Sequence, residues 1–139
     1  MVNQQFATAL HIMSVLAYIE GRLVSSKELS KSLYANPVTV RRFVGLLAEV
    51  HLVETVRGPS GGVRLSKSPK AISLAEIYFA TEPPPIVAKR ETKGDPGCPV
   101  GCRMSALVSD LSNEIGDQVV GFLTKVTLAD FVEKLRQVP

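Results

Sequence analysis

The residues best suited to chemistry stand at the start of one predicted helix and are typical of base reading in DNA. Asn36-Pro37 predicts the helix start, because asparagine caps a helix and proline fits its first position. Arginine pairs in bidentate fashion with guanine, and the threonine methyl group contacts the thymine methyl group. We therefore expect the N-terminal end of this helix to enter a major groove. Its first exposed side chains are Val38, Thr39, Arg41 and Arg42.

Further polar and basic residues flank this helix and are suited to the DNA backbone. Lysines on the preceding predicted helix suit phosphates, and arginines beside a glycine-rich tip suit the minor groove or the backbone. We expect the glycines of that tip to adopt positive φ, which lets the main chain lie against a phosphate, although a tight hairpin turn also favours glycine. The remaining candidate DNA-binding residues are Ser26, Lys27, Lys31, Arg57, Ser60, Gly61, Gly62 and Arg64.

The basic residues are unevenly distributed along the chain. The 139 residues carry a formal net charge of +3, yet nine of the sixteen lysines and arginines lie between Arg22 and Lys70, with only three acidic residues among them. A basic segment of this kind indicates a polyanionic partner, whereas a single arginine is more often an ordinary solvated charge. Several cations on one face are what favour double-stranded DNA as the partner.

The second chemically notable group is the pair Cys98 and Cys102, which are the two cysteines of the chain. They lie near the start of a predicted long helix, whose dipole lowers the pKa of a thiol, and Lys93 and Arg103 are near in sequence. The pair is a candidate redox sensor, with Cys98 as the more exposed attacking thiol and Cys102 as its resolving partner. Two small packing residues are the plain alternative. Zinc or an iron–sulfur cluster needs further ligands such as His11 or His51, and we expect no cofactor.

The elements that position these residues follow from periodicity and turn signals. Three short helices, a hairpin with the tip Gly58-Pro59-Ser60-Gly61-Gly62 and a fourth short helix make the order of a winged helix-turn-helix. Capping boxes are predicted at Ser25, Ser73 and Thr127. The third helix is predicted to bury Val40, Phe43, Leu47 and Val50, and the last helix to bury Leu128, Phe131, Val132 and Leu135.

The predicted fold class is mainly α with a small β-hairpin wing (α+β), in which a winged helix-turn-helix domain is followed by a long dimerisation helix. The domain boundaries that we expect are residues 1–80 for DNA binding, 81–101 for a flexible linker with the cysteine loop, and 102–139 for the dimerisation helix and a C-terminal helix. Proline and glycine clusters mark the linker.

A continuous apolar stripe follows the long helix and predicts a partner helix. A helix from about residue 102 to 125 spans roughly 36 Å, which is more than a small domain covers by itself. A second copy of the chain is the expected partner, and packing within one chain is the alternative. The stripe contains Leu107, Val108, Leu111, Ile115, Val119 and Phe122.

The sequence resembles the Rrf2 family of bacterial transcription regulators, the IscR, NsrR and CymR type. The resemblance covers nearly the whole chain, and its most specific segment is the wing, residues 56–65, with the sequence VRGPSGGVRL. It implies a winged-helix homodimer, in most members a repressor, that binds a pseudo-palindromic operator. Cluster-binding members carry three cysteines in the loop before the long helix, so two cysteines depart from that pattern.

The expected function is therefore a sequence-specific, homodimeric DNA-binding repressor, with thiol sensing through Cys98 and Cys102. The alternative is a winged-helix module that binds a protein instead of DNA. No enzyme motif of the P-loop, zinc protease or nucleophile-elbow kind is present, and the C-x-x-C spacing of a thiol oxidoreductase is absent, so we expect no enzyme. With no signal peptide and no apolar span of about 18 residues, the sequence predicts a cytoplasmic protein without membrane contact.

Overall fold

The computed structural model describes residues 4–138 and confirms a winged-helix architecture of six α-helices and one antiparallel hairpin. A short 3₁₀ turn at Pro69–Ala71 lies between the hairpin and the fourth helix. In chain order the elements are α1 Gln5–Tyr18, α2 Ser26–Leu33, α3 Pro37–Glu49, β1 Val53–Val56, β2 Gly62–Leu65, α4 Leu74–Ala80, α5 Pro99–Thr124 and α6 Leu128–Gln137.

Four of the helices, α2, α3, α4 and α6, begin at side-chain caps that the sequence predicts. Ser25, Ser73 and Thr127 each accept a hydrogen bond from the backbone N–H three residues later, and an acidic side chain returns the bond. Asn36 caps α3 by accepting from the N–H of Val38 at 2.8 Å. Each cap satisfies orphan donors of the first turn and contributes about 1 kcal/mol, so it fixes where the helix begins.

The wing is joined to the connection between α1 and α2. Its two strands pair in the register Val53↔Leu65 to Val56↔Gly62. Val24 forms an additional antiparallel bridge with Val63, through two backbone hydrogen bonds of 2.8 Å. Because the side chains of Val24 and Val63 are both buried, this bridge attaches the hairpin to the helical core.

The chain divides into two compact units, which differ from the predicted domain boundaries. One unit runs to Pro83 and resumes at Leu123, and the other is Pro84–Phe122. The first unit therefore includes α6, which the sequence analysis grouped with the long helix. Two backbone hydrogen bonds attach the segment that follows α5 to the rest of the first unit. The N–H of Leu74 donates to the carbonyl of Val126 at 2.9 Å, and the N–H of Leu128 donates to the carbonyl of Ile72 at 2.8 Å.

The predicted burial of two residues, Val50 and Leu135, is wrong. Val50 is 47% exposed because α3 ends at Glu49 and the chain turns sharply at His51, which has a φ of 61°. Leu135 is also 47% exposed, since it lies near the last turn of α6 and beyond the buried Val132. The other apolar residues predicted for α3, namely Val40, Phe43 and Leu47, are buried.

The second unit contains a loop and most of α5, which begins at Pro99, three residues before the predicted start. Residues 82–98 have no helix or strand, as the prolines and glycines predict. Parts of this segment are nevertheless held, because the N–H of Val87 donates to the buried Oγ of Ser112 at 3.0 Å. Among the described residues, no helix is long and apolar enough to cross a bilayer.

Candidate nucleic-acid interface and thiol loop

A groove of about 600 Å³ runs between the start of α2, the outer face of α3 and the wing. It brings together five of the predicted DNA-binding residues from three separate parts of the first unit. Its two cationic side chains come from different elements, since Arg41 belongs to α3 and Arg57 follows β1. The five predicted residues on its walls are Ser26, Arg41, Arg57, Gly61 and Gly62.

The other predicted residues of α3 lie outside the groove walls. Val38 is 68% exposed in the first turn, and Arg42 is exposed with its guanidinium 4.7 Å from the centre of the Phe43 ring. Thr39 is only half-buried, although the sequence predicts it exposed, because it lies one turn before the buried Phe43. The first two turns of α3 thus present Val38 and two arginines to solvent.

Ion pairs separate the basic side chains into two groups. Arg64 pairs with Glu54, directly opposite in the hairpin, at 3.1 Å, and Arg22 pairs with Glu28 at 3.0 Å. In the part of the chain that the structure describes, Lys27, Lys31 and Arg57 have no such pair, and all three are exposed. The pairing of Arg64 was not predicted from the sequence. Glu54 and Arg64 lie at matching distances from the hairpin turn, and this spacing could have indicated the pair.

The wing glycines are explained by close contacts instead of the positive φ that the sequence analysis expects. A Cβ on Gly61 would lie 2.0 Å from the carbonyl oxygen of Val56, and one on Gly62 would lie 2.7 Å from that of Val24. The glycine of the tip with positive φ is Gly58, at 108°. The expectation of positive φ at Gly61 and Gly62 is therefore wrong, and these glycines allow the main chain to pack.

Tyr34 is an exposed residue of the helix-turn-helix that sequence reasoning placed only in a turn. It ends α2 in the left-handed conformation with a φ of 51°, and its side chain is 100% exposed. A non-glycine residue in this conformation is uncommon and costs free energy, which makes a functional reason worth seeking. The signal available from the sequence was an aromatic residue at a helix C-cap, where glycine is usual.

The two cysteines lie at the start of α5, in a loop whose backbone closes on itself. Cys98 immediately precedes the helix, and its Sγ accepts a hydrogen bond from the N–H of Gly101 at 3.4 Å. The N–H groups of Gly101, and next of Val100, lower the pKa of the Cys98 thiol below its ordinary value. Contrary to the expectation from sequence, Cys102 is the exposed thiol and Cys98 is half-buried.

Close backbone packing fixes this thiol loop, which comprises residues 94–102. A Cβ on Gly94 would lie 2.4 Å from the carbonyl oxygen of Gly101. The two glycines therefore allow the backbone at the two ends of the loop to come into close contact. Asp95 closes the turn by accepting from the N–H of Gly97 at 2.9 Å and, through its carbonyl, from Cys98 at 3.1 Å. The segment that the sequence analysis interpreted as a flexible stretch is thus tied by hydrogen bonds.

The apolar stripe of α5 is largely open to solvent. Leu107, Leu111 and Phe122 are each more than half exposed, and Val108, Ile115 and Val119 are half-buried. These residues occupy one face of the helix, as the predicted period requires. A single chain therefore leaves much of this apolar helix face exposed.

Comparison with known proteins assigns this fold. The sequence matches the profile of Rrf2, described as iron-dependent transcriptional regulator, over residues 2–134. The chain belongs to the Rrf2 family. Like the family, it is a DNA-binding transcriptional regulator, and the prediction of this function from its motifs is confirmed.

Individual relatives agree with this Rrf2 assignment. YwnA of Bacillus subtilis, assigned to the HTH-type transcriptional regulators, is 30% identical over 97% of this chain and 99% of its own length. IscR of Photorhabdus laumondii is 39% identical over 83 residues, which are 58% of this chain and 47% of IscR. A crystal structure from Lactobacillus plantarum, assigned as a transcriptional regulator, has a TM-score of 0.80 at 25% identity and covers 96% of this chain and 90% of its own.

The Rrf2 description raises the question of iron, which the donor set can test. Iron–sulfur clusters are held by four thiolates or by a defined replacement, and this chain has two cysteines. His11 is on α1 with Nε2 3.0 Å from Ser32 Oγ, and His51 follows α3. Within residues 4–138, no three His, Cys, Asp or Glu side chains are grouped to hold a metal ion. The residues of one chain therefore do not fit an iron site.

Proposed function

We propose that the protein represses transcription by binding a pseudo-palindromic operator through α3 and the wing. The observation that carries this proposal is the placement of Arg41 and Arg57, from separate elements, on one groove beside the start of α2. Neither arginine has an ion pair among the described residues, so both are available for an anionic partner. Phosphates and guanine edges are the groups that such arginines bind.

The roles that we assign follow from element and exposure. Val38, Arg41 and Arg42 contact base edges from the first turns of α3. The half-buried Thr39 lies at the edge of this contact surface. Lys27 and Lys31 contact phosphates from the solvent side of α2, and Ser26 lies at its N-terminus, where N–H groups favour anions. Arg57, Ser60, Gly61 and Gly62 form the part of the wing that approaches the duplex. Arg64 contributes less, because Glu54 already neutralises its charge.

Tyr34 is proposed as an additional backbone contact at the turn before α3. Its ring and hydroxyl are fully accessible, and a phenol O–H donates hydrogen bonds to phosphate oxygens. An exposed tyrosine is also suited to a protein partner, which keeps the protein-interaction module as the second candidate function. The substitution Tyr34→Phe separates them, because it removes the hydroxyl that a phosphate needs and keeps the ring that an apolar partner needs.

The dimer is proposed to form through the stripe of α5. Its open apolar face is long enough to need a continuous partner, and a second copy supplies a matching face. Two copies also supply two recognition helices, which a pseudo-palindromic operator requires. A repressor of this kind acts where its operator lies, so we place the protein in the cytoplasm.

The thiol pair is proposed to adjust operator affinity by oxidation. Joining Cys98 and Cys102 in a disulfide removes two electrons and two protons, which an oxidant such as diamide accepts. Neighbours four apart on a helix have Cβ atoms about 5–6 Å apart, whereas a disulfide needs roughly 3.8 Å. Since the N–H of Cys102 bonds to the carbonyl of Cys98 at 2.9 Å, closing this gap disturbs the first turn of α5.

Selection of bound sequences from a random DNA library tests the central proposal. We expect enrichment of a two-fold symmetric site whose half-sites are about one helical turn, or roughly 34 Å, apart. The same selection with diamide-treated protein tests the thiols, with Cys98→Ser as a variant that cannot form the disulfide. Recovery of no preferred sequence by untreated, dimeric protein would contradict the proposed function and favour the protein-interaction module.

A further inference from the structure

The outward face of α3 combines an apolar side chain with two arginines. Residues three, four and seven apart lie on one face of a helix, and four exposed residues of α3 follow this spacing. They are Val38, Arg41, Arg42 and Gly45. Val38 is 68% exposed, whereas Thr39, next to it in sequence, is half-buried. The apolar group that this face offers to an operator is therefore the valine side chain and not the threonine methyl group.

A valine side chain is suited to one kind of group in a major groove. It has no hydrogen-bond donor or acceptor, so the polar edges of bases lose water without gaining a hydrogen bond when valine covers them. The C5 methyl group of thymine is the apolar group that the four bases present in that groove. The modified base 5-methylcytosine carries a methyl group on the same ring carbon. Val38 therefore suits a 5-methylpyrimidine and disfavours unmodified cytosine.

The short reach of valine requires α3 to approach the bases closely, and two features favour this approach. Asn36 accepts a hydrogen bond from the N–H of Val38 at 2.8 Å, which fixes the backbone at the second residue of the helix. Two turns later, Gly45 has no side chain on the same face, and a Cβ added there would meet no more distant part of the chain within 4 Å. Packing within the chain thus does not require glycine here, whereas close approach of a duplex does.

A neighbouring arginine indicates the base that accompanies the methyl group. Arg42 is four residues after Val38, so their Cβ atoms are roughly 5–6 Å apart, which is less than two base-pair steps of about 3.4 Å. The guanidinium of Arg42 is 4.7 Å from the centre of the Phe43 ring, and this contact restrains the arginine side chain. Because arginine pairs in bidentate fashion with guanine, we expect a guanine within two base pairs of the methyl group.

We infer that Val38 contacts the C5 methyl group of one pyrimidine in each half-site, and so distinguishes thymine and 5-methylcytosine from uracil and cytosine. This inference deepens the proposed function and rests on it, because it requires α3 to lie in a major groove. An apolar protein partner fits this face less well. Two arginines flank a single exposed valine, whereas larger apolar patches are typical of protein contacts.

The experiment uses the full-length protein and the operator recovered by selection, in which deoxyuridine replaces one thymidine at a time. This exchange removes the methyl group and keeps the base pair. We expect one symmetric pair of positions at which uracil weakens binding, by about fourfold for one half-site and about fifteenfold for both, because burial of one methyl group contributes a factor of this size. Fluorescence anisotropy at constant salt measures the affinities.

The substitution Val38→Ser removes both methyl groups of the side chain, so this variant should bind the thymine and uracil operators equally. Val138→Ser is the matched control, because Val138 is also 68% exposed but follows α6. It should respond to uracil as wild type does. Val38→Thr, which keeps the branched shape and one methyl group, should show a smaller uracil effect than wild type.

Cytosine supplies a second arm of the experiment. Cytosine in place of the same thymine should weaken binding by wild type, and 5-methylcytosine should recover about fourfold per half-site. Val38→Ser should not distinguish the two cytosines. This arm separates the methyl group from the other differences between thymine and cytosine, which both cytosines share.

Two outcomes would overturn the inference. One is an operator in which uracil weakens wild-type binding at no position. The other is a uracil or 5-methylcytosine effect that Val38→Ser retains in full with an unchanged thermal melt, since another residue or the shape of the DNA would then sense the methyl group. A protein that selects no operator contradicts the proposed function instead, so the two failures are distinguishable.

Discussion

The two compact units differ in how they bury their apolar side chains. Every buried apolar side chain of residues 4–138 belongs to the unit that contains the wing and α3. In the unit Pro84–Phe122, the one buried side chain described is the polar Ser112, and the largest apolar ones are exposed. The first unit therefore has a hydrophobic core of its own, whereas the second leaves its largest apolar side chains exposed.

This difference indicates what one chain determines by itself. Caps and a closed core fix the shape of the groove between α2, α3 and the wing within one chain. We propose that a second copy of the chain buries the apolar stripe of α5. Substitutions in the two units should accordingly change different observables, and this expectation leads to five predictions.

The largest effect is expected from Leu111→Glu, which puts a charge on the open stripe of α5. Leu111 is 51% exposed in one chain, so the chain should fold as before. In a dimer the carboxylate is buried, which costs several kcal/mol. Sedimentation at micromolar concentration should show monomers. Asn113→Glu, on the opposite side of the same helix, should remain dimeric, and a wild-type protein that sediments as a monomer would show that the stripe has another use.

The next effect concerns base reading by α3. Arg41→Ala should weaken binding to a selected operator by about 1–3 kcal/mol, because a bidentate contact to a base is lost. Arg90→Ala, an exposed arginine of the second unit, is the matched control. Fluorescence anisotropy with operator and scrambled DNA measures both. If Arg41→Ala and Arg42→Ala both bind the operator as wild type does, α3 is not the recognition helix.

A third prediction concerns stability within the first unit. Asn36→Ala removes the side-chain cap of α3 and should lower the free energy of unfolding by about 1 kcal/mol. Asn36→Ser keeps an oxygen that accepts from the same N–H and should lie close to wild type. Urea denaturation followed by circular dichroism gives both values. Equal loss in the two variants would mean that the cap is not the stabilising feature.

A smaller effect separates paired from unpaired cations. Lys27→Ala should weaken specific and random DNA alike and reduce the slope of log K against log salt by about one unit. In the wing, Arg57→Ala should reduce the slope more than Arg64→Ala, because Glu54 already neutralises Arg64. Salt titrations of all three variants supply the slopes. The reverse order for the two arginines would show that the Arg64–Glu54 pair opens on DNA.

The smallest effect is a shift in the pH dependence of alkylation. The folded chain lowers the pKa of Cys98, so a larger fraction of its thiol is ionised at a given pH than in the unfolded chain. In the variant Cys102→Ser, which leaves Cys98 as the one thiol, the rate with iodoacetamide should reach half its maximum at lower pH in buffer than in urea. Coincident midpoints would mean that the N–H groups of the thiol loop do not stabilise the thiolate.

Much of the first unit could be predicted from sequence because its signals are local. Capping boxes at Ser25, Ser73 and Thr127, the Asn-Pro start of α3 and the glycine-rich tip each depend on a few neighbouring residues. The errors arise where contacts between distant parts of the chain determine the local conformation. Gly62 is required by Val24 of the connection before α2, which no local pattern shows.

The candidate sites were predictable in residue type but not in pairing. The basic residues of α3 and the wing could be chosen from charge, whereas the pairing of Arg64 with Glu54 depends on the hairpin register. The relative exposure of Cys98 and Cys102 depends on how the loop before α5 folds, and the close backbone approach of Gly94 to Gly101 in that loop is not a local pattern. Composition indicated flexibility there, because glycine permits both a loose segment and one that packs closely.

The return of the chain at Leu123 has a consequence for how such regulators change over time. The backbone bonds around Val126 and Leu128 close the first unit, so the segment between Pro83 and Leu123 is formally a long insertion within a finished fold. The entropy of closing a flexible insertion rises slowly, by about 0.6 kcal/mol for each doubling of its length. Residues can therefore be added to or removed from the segment Pro84–Phe122 at little cost to the winged-helix fold, so this segment can change in length and sequence while the first unit stays intact.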